Sequence, residues 1–216
     1  MTTVPTPEEQ LLDVRKNADR MLALLLVLHL PATLGLAALH GTWLAALLVG
    51  GGISAGAYVL SRVAPGAFWT RVFISLGLVG YSALFVHQTH GLIEVHFHFF
   101  GALAFSLVYR DWRVVVIPAA AIAVHHLTFM LLQNAGVPVW VMPDGHLSLG
   151  MVLLHAVFVV FECVVLVILA RSMAEETKTT AELRLADAEE RAQLAALAEA
   201  LERRELSVAT DDAHGP

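Results

Sequence analysis

Charge and cysteine are both scarce in this sequence. Only 15% of its 216 residues are Asp, Glu, Lys or Arg, whereas 57% are hydrophobic, and the mean hydropathy is +0.70. A soluble domain needs far less apolar sequence to fill its core, so the composition predicts a multi-span membrane protein in contact with lipid. The single cysteine, Cys163, excludes an internal disulfide and a CxxC site.

The sequence also lacks the long basic runs that nucleic-acid binding needs. Its formal net charge is −6, and most of its acidic residues lie after residue 171. Nucleic acid is therefore excluded from the predicted partners.

Apolar stretches of about 20 residues, the length that crosses a bilayer, recur along the chain. They predict six transmembrane helices at 21–40, 42–61, 68–90, 91–109, 114–133 and 147–170. The predicted fold class is all-α, an integral membrane bundle of six helices followed by a long cytoplasmic helix. The predicted segments are a polar N-terminus 1–20, the membrane domain 21–170, the helix 171–206 and a polar tail 207–216.

Lys and Arg are distributed unevenly between these spans. The basic positions are 15, 16, 20, 62, 71, 110, 113 and those from 171 onward. The loops on the other side of the predicted membrane, near 41, at 88–91 and at 134–146, contain none. Because positive charge is retained on the cytoplasmic side, both termini are predicted to be cytoplasmic.

Histidine is the residue that stands out within the apolar sequence. The stretch HQTHGLIEVHFHFF, residues 87–100, contains four histidines and one glutamate. Ionisable groups inside a membrane are costly and usually functional. The candidate metal ligands are His29, His87, His90, Glu94, His96, His98, His125, His126 and His155. For His40, His146 and His214 we expect solvation or simple hydrogen bonding.

Helical phase divides these candidates, at about 100° per residue. Glu94 and His98 are four residues apart and share a helix face, whereas His96 points nearly opposite to His98. Adjacent His125 and His126 also diverge. One mononuclear site therefore cannot use every histidine, and the phase favours a multinuclear centre or one site with surrounding partners.

Imidazole is the commonest protein ligand for zinc, copper and non-haem iron. A nearby carboxylate such as Glu94 shifts the preference toward zinc or iron and away from Cu(I). The predicted metal is iron, then zinc or copper. Haem b is the alternative, with two histidines as axial ligands and Phe97, Phe99 and Phe100 lining the ring. Glu162 lies deeper in the sixth span and is either a partner of the site or a proton acceptor.

The segment after Met173 contains no Gly or Pro until residue 215 and is rich in Ala, Glu, Leu and Arg, so it predicts a long helix. Small and apolar residues at 181, 185, 188, 192 and 195 suit a coiled-coil seam, and Leu194, Leu197 and Leu201 form a second, phase-shifted one. We expect a parallel homodimer joined by this helix, with a single solvated helix as the alternative. A helix leading out of a ligand-binding bundle is typical of a signal transmitter.

The blocks HQTHGLIEVHFHFFGALAF, YRDWR and AIAVHHL, in this order, resemble the histidine-rich multi-span sensor segment of bacterial methyl-accepting chemotaxis proteins. The resemblance covers roughly residues 20–175. It implies a membrane-embedded sensor, located in a bacterial inner membrane, that signals to a cytoplasmic output domain. The ligand positions that it implies are His87, His90, Glu94, His96, His98, His125 and His126. Chemoreceptors continue into a signalling hairpin, whereas this sequence ends at Pro216, so we expect either a longer protein or a separate output partner.

Two other functions use the same residues. A membrane di-iron oxidase or oxygenase is the enzymatic alternative, but its HxxxH and HxxHH boxes are not matched by HxxH, HxH and HH here. A metal or proton transporter would place ligands at several depths, and only Glu162 and His29 extend the histidine layer inward. The sequence therefore favours a sensor without enzymatic activity.

Overall fold

The structure, a computed structural model, describes residues 4–143 and 147–212, with side chains described as far as Arg204. His146, His214 and the ends of the predicted segments 1–20 and 207–216 lie outside the described residues. The described chain is helical and contains no strand. Its helices are α1 Pro7–His40, α2 Trp43–Val63, α3 Phe68–Gln88, α4 Ile93–Tyr109, α5 Arg113–Asn134 and α6 Leu149–Asp212.

The prediction of a multi-span membrane bundle is confirmed for five helices. Helices α1, α2, α3, α5 and α6 are long and apolar enough to cross a membrane. Helix α4 is shorter, and the prediction of a sixth full span at 91–109 is therefore wrong. Its two ends, Ile93–His96 and Ser106–Tyr109, are 3₁₀ turns around a short α-helix, Phe97–Phe105.

Tight turns flank α4, and the first of them shortens the predicted span 91–109 at its N-terminal end. Helix α3 ends in a Schellman motif, in which Gly91 N–H donates to Val86 O at 2.8 Å and His90 N–H donates to His87 O at 3.2 Å. His90 and Gly91 both have positive φ values, 55° and 80°. Beyond α4, Arg110 is also left-handed, with φ 52°. The first turn thus contains His90 and Gly91, which the sequence assigned to the spans 68–90 and 91–109.

The chain divides into two compact units, Leu11–Glu175 and Met1–Gln10 with Glu176–Pro216. In the second unit, a capping box starts α1: Thr6 N–H donates to Glu9 Oε2 at 2.8 Å, and Glu9 N–H donates to Thr6 Oγ1 at 3.3 Å. Helix α6 extends from Leu149 to Asp212 without a break at residue 170, where the sequence separated span and tail.

Helix α3 is the most buried of the five membrane-capable helices and packs against α2, α4 and α5. Its Tyr81 is fully buried. The Tyr81 hydroxyl lies 2.8 Å from Gly50 O and 2.6 Å from Ser54 Oγ, while Ser54 Oγ lies 3.0 Å from Leu26 O. Gly50, whose carbonyl accepts from Tyr81, is the last residue of a π-helical turn in α2, Ala46–Gly50. Hydroxyl groups therefore link α1, α2 and α3 inside an apolar core.

An ionic cluster joins α3 to the turn between α4 and α5. Arg71 and Asp111, both 4% exposed, form a buried ion pair. Arg113 adds a bidentate contact, from Nε to Oδ1 and from Nη2 to Oδ2 of Asp111, each at 2.9 Å. Burial raises the pKa of the Asp111 carboxyl, but the hydrogen bonds from Arg113 and the charge of Arg71 outweigh it and hold the pKa below its usual value. Arg71, expected near a basic loop, is thus part of the packed interior.

Candidate functional site

The described histidines lie in three groups within the unit Leu11–Glu175. The first group joins α1 to α4, the second joins the ends of α1 and α3, and the third joins α4, α5 and α6. The groups are His29 with His98; His40, His87 and His90; and His96, His125, His126 and His155.

The first group is a hydrogen-bonded pair. His29 Nδ1 lies 2.7 Å from Leu25 O, and because a carbonyl only accepts, this nitrogen carries the proton. In the neutral ring, His29 Nε2 is then an acceptor, and His98 Nε2, 3.1 Å away, donates to it. His98 Nδ1 in turn accepts from Ser82 Oγ at 2.7 Å. Every ring nitrogen of the pair thus has a partner.

The second group surrounds Trp140. The rings of His40 and His90 have centroids 5.4 Å apart, and those of His90 and Trp140 are 4.5 Å apart. The backbone N–H of Trp140 donates to His87 Nδ1 at 3.4 Å. His40 and His90 are exposed. This group places the loop after α5 against the end of α3, and its contacts are mainly between rings.

Three of the four histidines in the third group come from three different helices and form a triangle. The ring centroid of His96, on α4, lies 5.7 Å from that of His126, on α5, and 5.6 Å from that of His155, on α6. His126 and His155 are 6.3 Å apart. His96 and His126 are only 4% and 5% exposed. His155 is half-buried. Three imidazoles this close together are unusual in apolar surroundings.

Hydrogen bonds fix the tautomers of two members of this triangle. His126 Nδ1 lies 2.9 Å from Ile122 O, and His155 Nδ1 lies 3.0 Å from Met151 O. Each Nδ1 therefore carries the proton, and in the neutral ring each Nε2 keeps a lone pair. Metal-binding histidines are commonly held in this way by a carbonyl on the other nitrogen. Within the described chain, neither Nε2 has another hydrogen-bond partner.

His96 is held differently. Its Nδ1 lies 3.1 Å from Leu92 O and its Nε2 lies 2.8 Å from Val141 O. A neutral imidazole has a single N–H, so the shorter contact, to Val141, is the better donor bond. The His96 ring is thus turned toward the segment between α5 and α6.

This segment is fixed by its neighbours. Gln133 Nε2 donates to Met142 O at 2.9 Å, and Val141 N–H donates to Gln133 Oε1 at 3.0 Å. Gly91 fits closely beneath it, since a Cβ at this position would lie 2.3 Å from the Met142 carbonyl carbon. The glycine of the motif HQTHG therefore allows the loop to reach His96.

A cleft of about 620 Å³ extends from the triangle between α5 and α6. The polar side chains on its wall are His96, His126 and His155 at one end, together with the thiol of Cys163. Phe99 and Phe100 lie beside the histidines, and the remaining wall consists of Ala, Val, Leu and Ile side chains. The cleft is therefore apolar along most of its length.

The carboxylates that the sequence pointed to lie elsewhere. Glu94 is exposed on the first turn of α4 and does not meet His98, although the two were predicted to share a face. Glu162 is half-buried on α6, and its Oε2 has no hydrogen-bond partner among the described residues. His125 Nε2 is likewise buried without one. Its ring packs on Phe129 at 4.2 Å between centroids.

Among the described residues, no group of three or more His, Cys, Asp or Glu side chains is arranged to hold a metal ion. In the triangle, His96 Nε2 contacts Val141 O at 2.8 Å. A comparison with protein families found no matching family model. Comparisons with curated proteins and with solved structures found no match. The resemblance to chemoreceptor sensor segments stays a prediction.

Sequence reasoning missed several residues that shape these groups. Gln88, fully buried, donates to Thr33 O at 3.0 Å and to Thr42 Oγ1 at 2.9 Å, which ties the HQTH motif to α1. Ser82 and Gln133 are the other two. All three are polar side chains within apolar spans. A polar residue in an apolar span was treated as informative only for histidine, although the same criterion would have identified these three.

Proposed function

We propose that the chain is a membrane-embedded sensor module that binds one divalent first-row transition metal ion. His126 and His155 bind the ion through Nε2, and His96 is the third ligand. The observation that carries the proposal is the pair of Nε2 lone pairs, fixed by bonds from Nδ1 to helix carbonyls, beside a third imidazole.

The size of the triangle supports this proposal. The point equidistant from the three ring centroids lies about 3.4 Å from each, whereas a metal ion bonded to an imidazole nitrogen at about 2.0–2.1 Å lies about 3.2 Å from the centroid. The rings need to turn, but their helices need not separate. His96 would exchange Val141 O for the metal and keep Leu92 O as the acceptor for Nδ1.

The donor set also limits the metal. Imidazole suits zinc, copper, iron and nickel. The sequence favoured iron or zinc over Cu(I) because of a nearby carboxylate, but the carboxylate concerned, Glu94, is exposed. A site with imidazole ligands alone suits zinc and copper at least as well as iron. The His29–His98 pair, with each ring nitrogen in a hydrogen bond, serves as a structural link in this proposal.

Signalling follows from the position of His155. It is the ligand carried by α6, and α6 continues from Leu149 to Asp212. We propose that metal binding draws His155 toward His126 and His96, and that α6 transmits this shift to a cytoplasmic output domain or protein. Dimerisation through 171–206, cytoplasmic termini and a bacterial inner membrane belong to the same proposal.

The haem alternative is less well supported by the cleft. Haem b carries two propionates, and buried carboxylates need cations or hydrogen-bond donors. The residues lining the cleft include no Arg, Lys, Ser, Thr, Asn or Gln. The di-iron alternative lacks support too, because the HxxxH and HxxHH boxes of membrane di-iron oxygenases are not matched in this sequence.

Calorimetric titration of chelator-treated, detergent-purified protein with Zn²⁺ tests the proposal. We expect one strong site per chain. His126→Ala and His155→Ala should each weaken it by more than about 100-fold, beyond the 10–100-fold typical of losing a hydrogen bond to a ligand. His40→Ala, at an exposed histidine on α1, is the control and should leave the strong site unchanged. Equal binding by all four proteins would overturn the proposal.

A further inference from the structure

The cleft between α5 and α6 is much larger than a metal ion requires. Its volume of about 620 Å³ lies within the range of sites for small organic ligands, about 300–1,000 Å³. Beyond the histidines, its wall is aliphatic, with Ala119, Ala123, Ala156 and Val160 among the lining residues. Small side chains on facing helices create the space, and an occupant must be apolar along most of its length.

Charge excludes several classes of lipid. Fatty acids and phospholipids carry anionic groups, which are costly to bury without a cation or N–H donor. No Arg or Lys lines the cleft. The Nε2 atoms of His126 and His155 present lone pairs, and the N–H of His96 is directed to Val141 O. An uncharged ligand is therefore required.

The same lone pairs select the polar group of the ligand. An acceptor such as a ketone oxygen gains no hydrogen bond from two lone pairs, whereas a hydroxyl donates to either of them. The rings of Phe99 and His126 lie 5.2 Å apart, so an aromatic head group would meet aromatic neighbours. The complementary ligand has a hydroxyl-bearing aromatic head and a long apolar tail.

We propose that this cleft binds an isoprenoid hydroquinone, with its hydroxyl groups on the Nε2 atoms of His126 and His155 and its tail between α5 and α6. The inference goes beyond the metal-binding function and does not require it. Since both ligands use the same lone pairs, bound Zn²⁺ is expected to weaken hydroquinone binding, and the effect is reciprocal.

Chelator-treated protein in nanodiscs, titrated with decylubiquinol under anaerobic reducing conditions, tests the proposal. We expect saturable binding of one molecule per chain. Decylubiquinone, titrated without reductant, should bind at least about tenfold more weakly, since its carbonyl oxygens replace two donors by acceptors, a loss of about 1.4 kcal/mol or more. His126→Leu should abolish this preference for the reduced form.

Two substitutions on α5 separate the cleft from the surrounding lipid. Ala123→Trp fills the cleft and should abolish saturable binding. Val124→Trp is the control, because Val124 is exposed and does not line the cleft. Equal binding of both oxidation states, equal binding of decanol, or binding unaffected by Ala123→Trp would overturn the inference. Because no metal is present, these outcomes are distinguishable from a failure of the metal site.

Discussion

His29 Nε2 and His98 Nε2 lie 3.1 Å apart, and the hydrogen bond between them joins α1 to α4. Ser82 on one side and Leu25 on the other complete a chain of three hydrogen bonds with one consistent direction, from Ser82 to Leu25. The pair therefore differs from His126 and His155, whose Nε2 atoms keep their lone pairs. Histidines of the same apolar bundle thus differ in whether their Nε2 atoms already take part in a hydrogen bond.

Replacing His98 by Phe is expected to destabilise the protein without weakening the proposed binding of Zn²⁺. His29 Nε2 and Ser82 Oγ would each lose a partner, at a cost of about 1–3 kcal/mol for each unsatisfied group. The double variant His29→Phe/His98→Phe should cost less than the sum of the single changes. Thermal unfolding in detergent measures the stability. A folded His98→Phe variant without metal would place the pair in the metal centre instead.

Gly91→Ala is expected to disturb the loop that holds His96. The φ of Gly91 is 80°, where an alanine costs about 1–2 kcal/mol, and its Cβ would overlap Met142. The melting temperature should fall, and Zn²⁺ affinity should change because His96 loses its contact with Val141 O.

Gly101→Ala is the matched control for this change. A Cβ at Gly101 meets no atom within 4 Å, and alanine favours a helix over glycine by about 0.5–1 kcal/mol. Its melting temperature should be equal or higher. Similar losses in both variants would contradict the role assigned to Gly91.

Asp111 is expected to make the protein sensitive to acid. Its pKa is lowered in the folded state, so its contribution to stability is complete above the unfolded pKa of about 3.9 and is lost as the pH falls through the folded value. The melting temperature should therefore drop below about pH 4.

Asp111→Asn should remove part of this acid dependence. At neutral pH, the variant should be less stable by about 3–5 kcal/mol, because Arg71 would keep a buried charge without a counter-charge. Unfolding curves of both proteins between pH 3 and pH 7 measure the difference. Parallel curves would show that Asp111 does not titrate with folding.

Crosslinking between two copies tests transmission along α6. Leu194, Leu197 and Leu201 are 59%, 58% and 53% exposed, an apolar row without cover in the single chain. In a Cys163→Ser background, Leu197→Cys should form an intermolecular disulfide, whereas Glu199→Cys, opposite the row, should form little.

Metal is expected to change the crosslinking of Leu197→Cys. A coupling free energy of about 1 kcal/mol would change it roughly fivefold. The additional change His155→Ala should abolish this response. Crosslinking that is insensitive to metal would contradict the proposed transmission from the metal site along α6.

The sequence predicted the five membrane-capable helices well because an uninterrupted apolar run of about 20 residues is a direct property of the chain. The fourth span failed for a local reason. Composition did not reveal that His90 and Gly91 adopt left-handed conformations and that α4 starts in a 3₁₀ turn. The turn takes up the start of the predicted span 91–109, so α4 begins only at Ile93.

Helical phase was informative within one helix and insufficient between helices. His96 and His98, predicted to point apart, lie in different groups. Glu94 and His98 do not meet, because the 3₁₀ turn changes the phase and because α1 supplies the partner of His98. The Val141 carbonyl was invisible to sequence reasoning, since a backbone group carries no residue signature.

X-ray absorption spectroscopy at the edge of the bound metal tests the central claim most directly. We predict three imidazole nitrogens at about 2.0–2.1 Å for a Zn²⁺ ion in the wild-type protein, and two in the His155→Ala variant. A spectrum without imidazole scattering, or one that His155→Ala leaves unchanged, would contradict a metal centre formed by His96, His126 and His155.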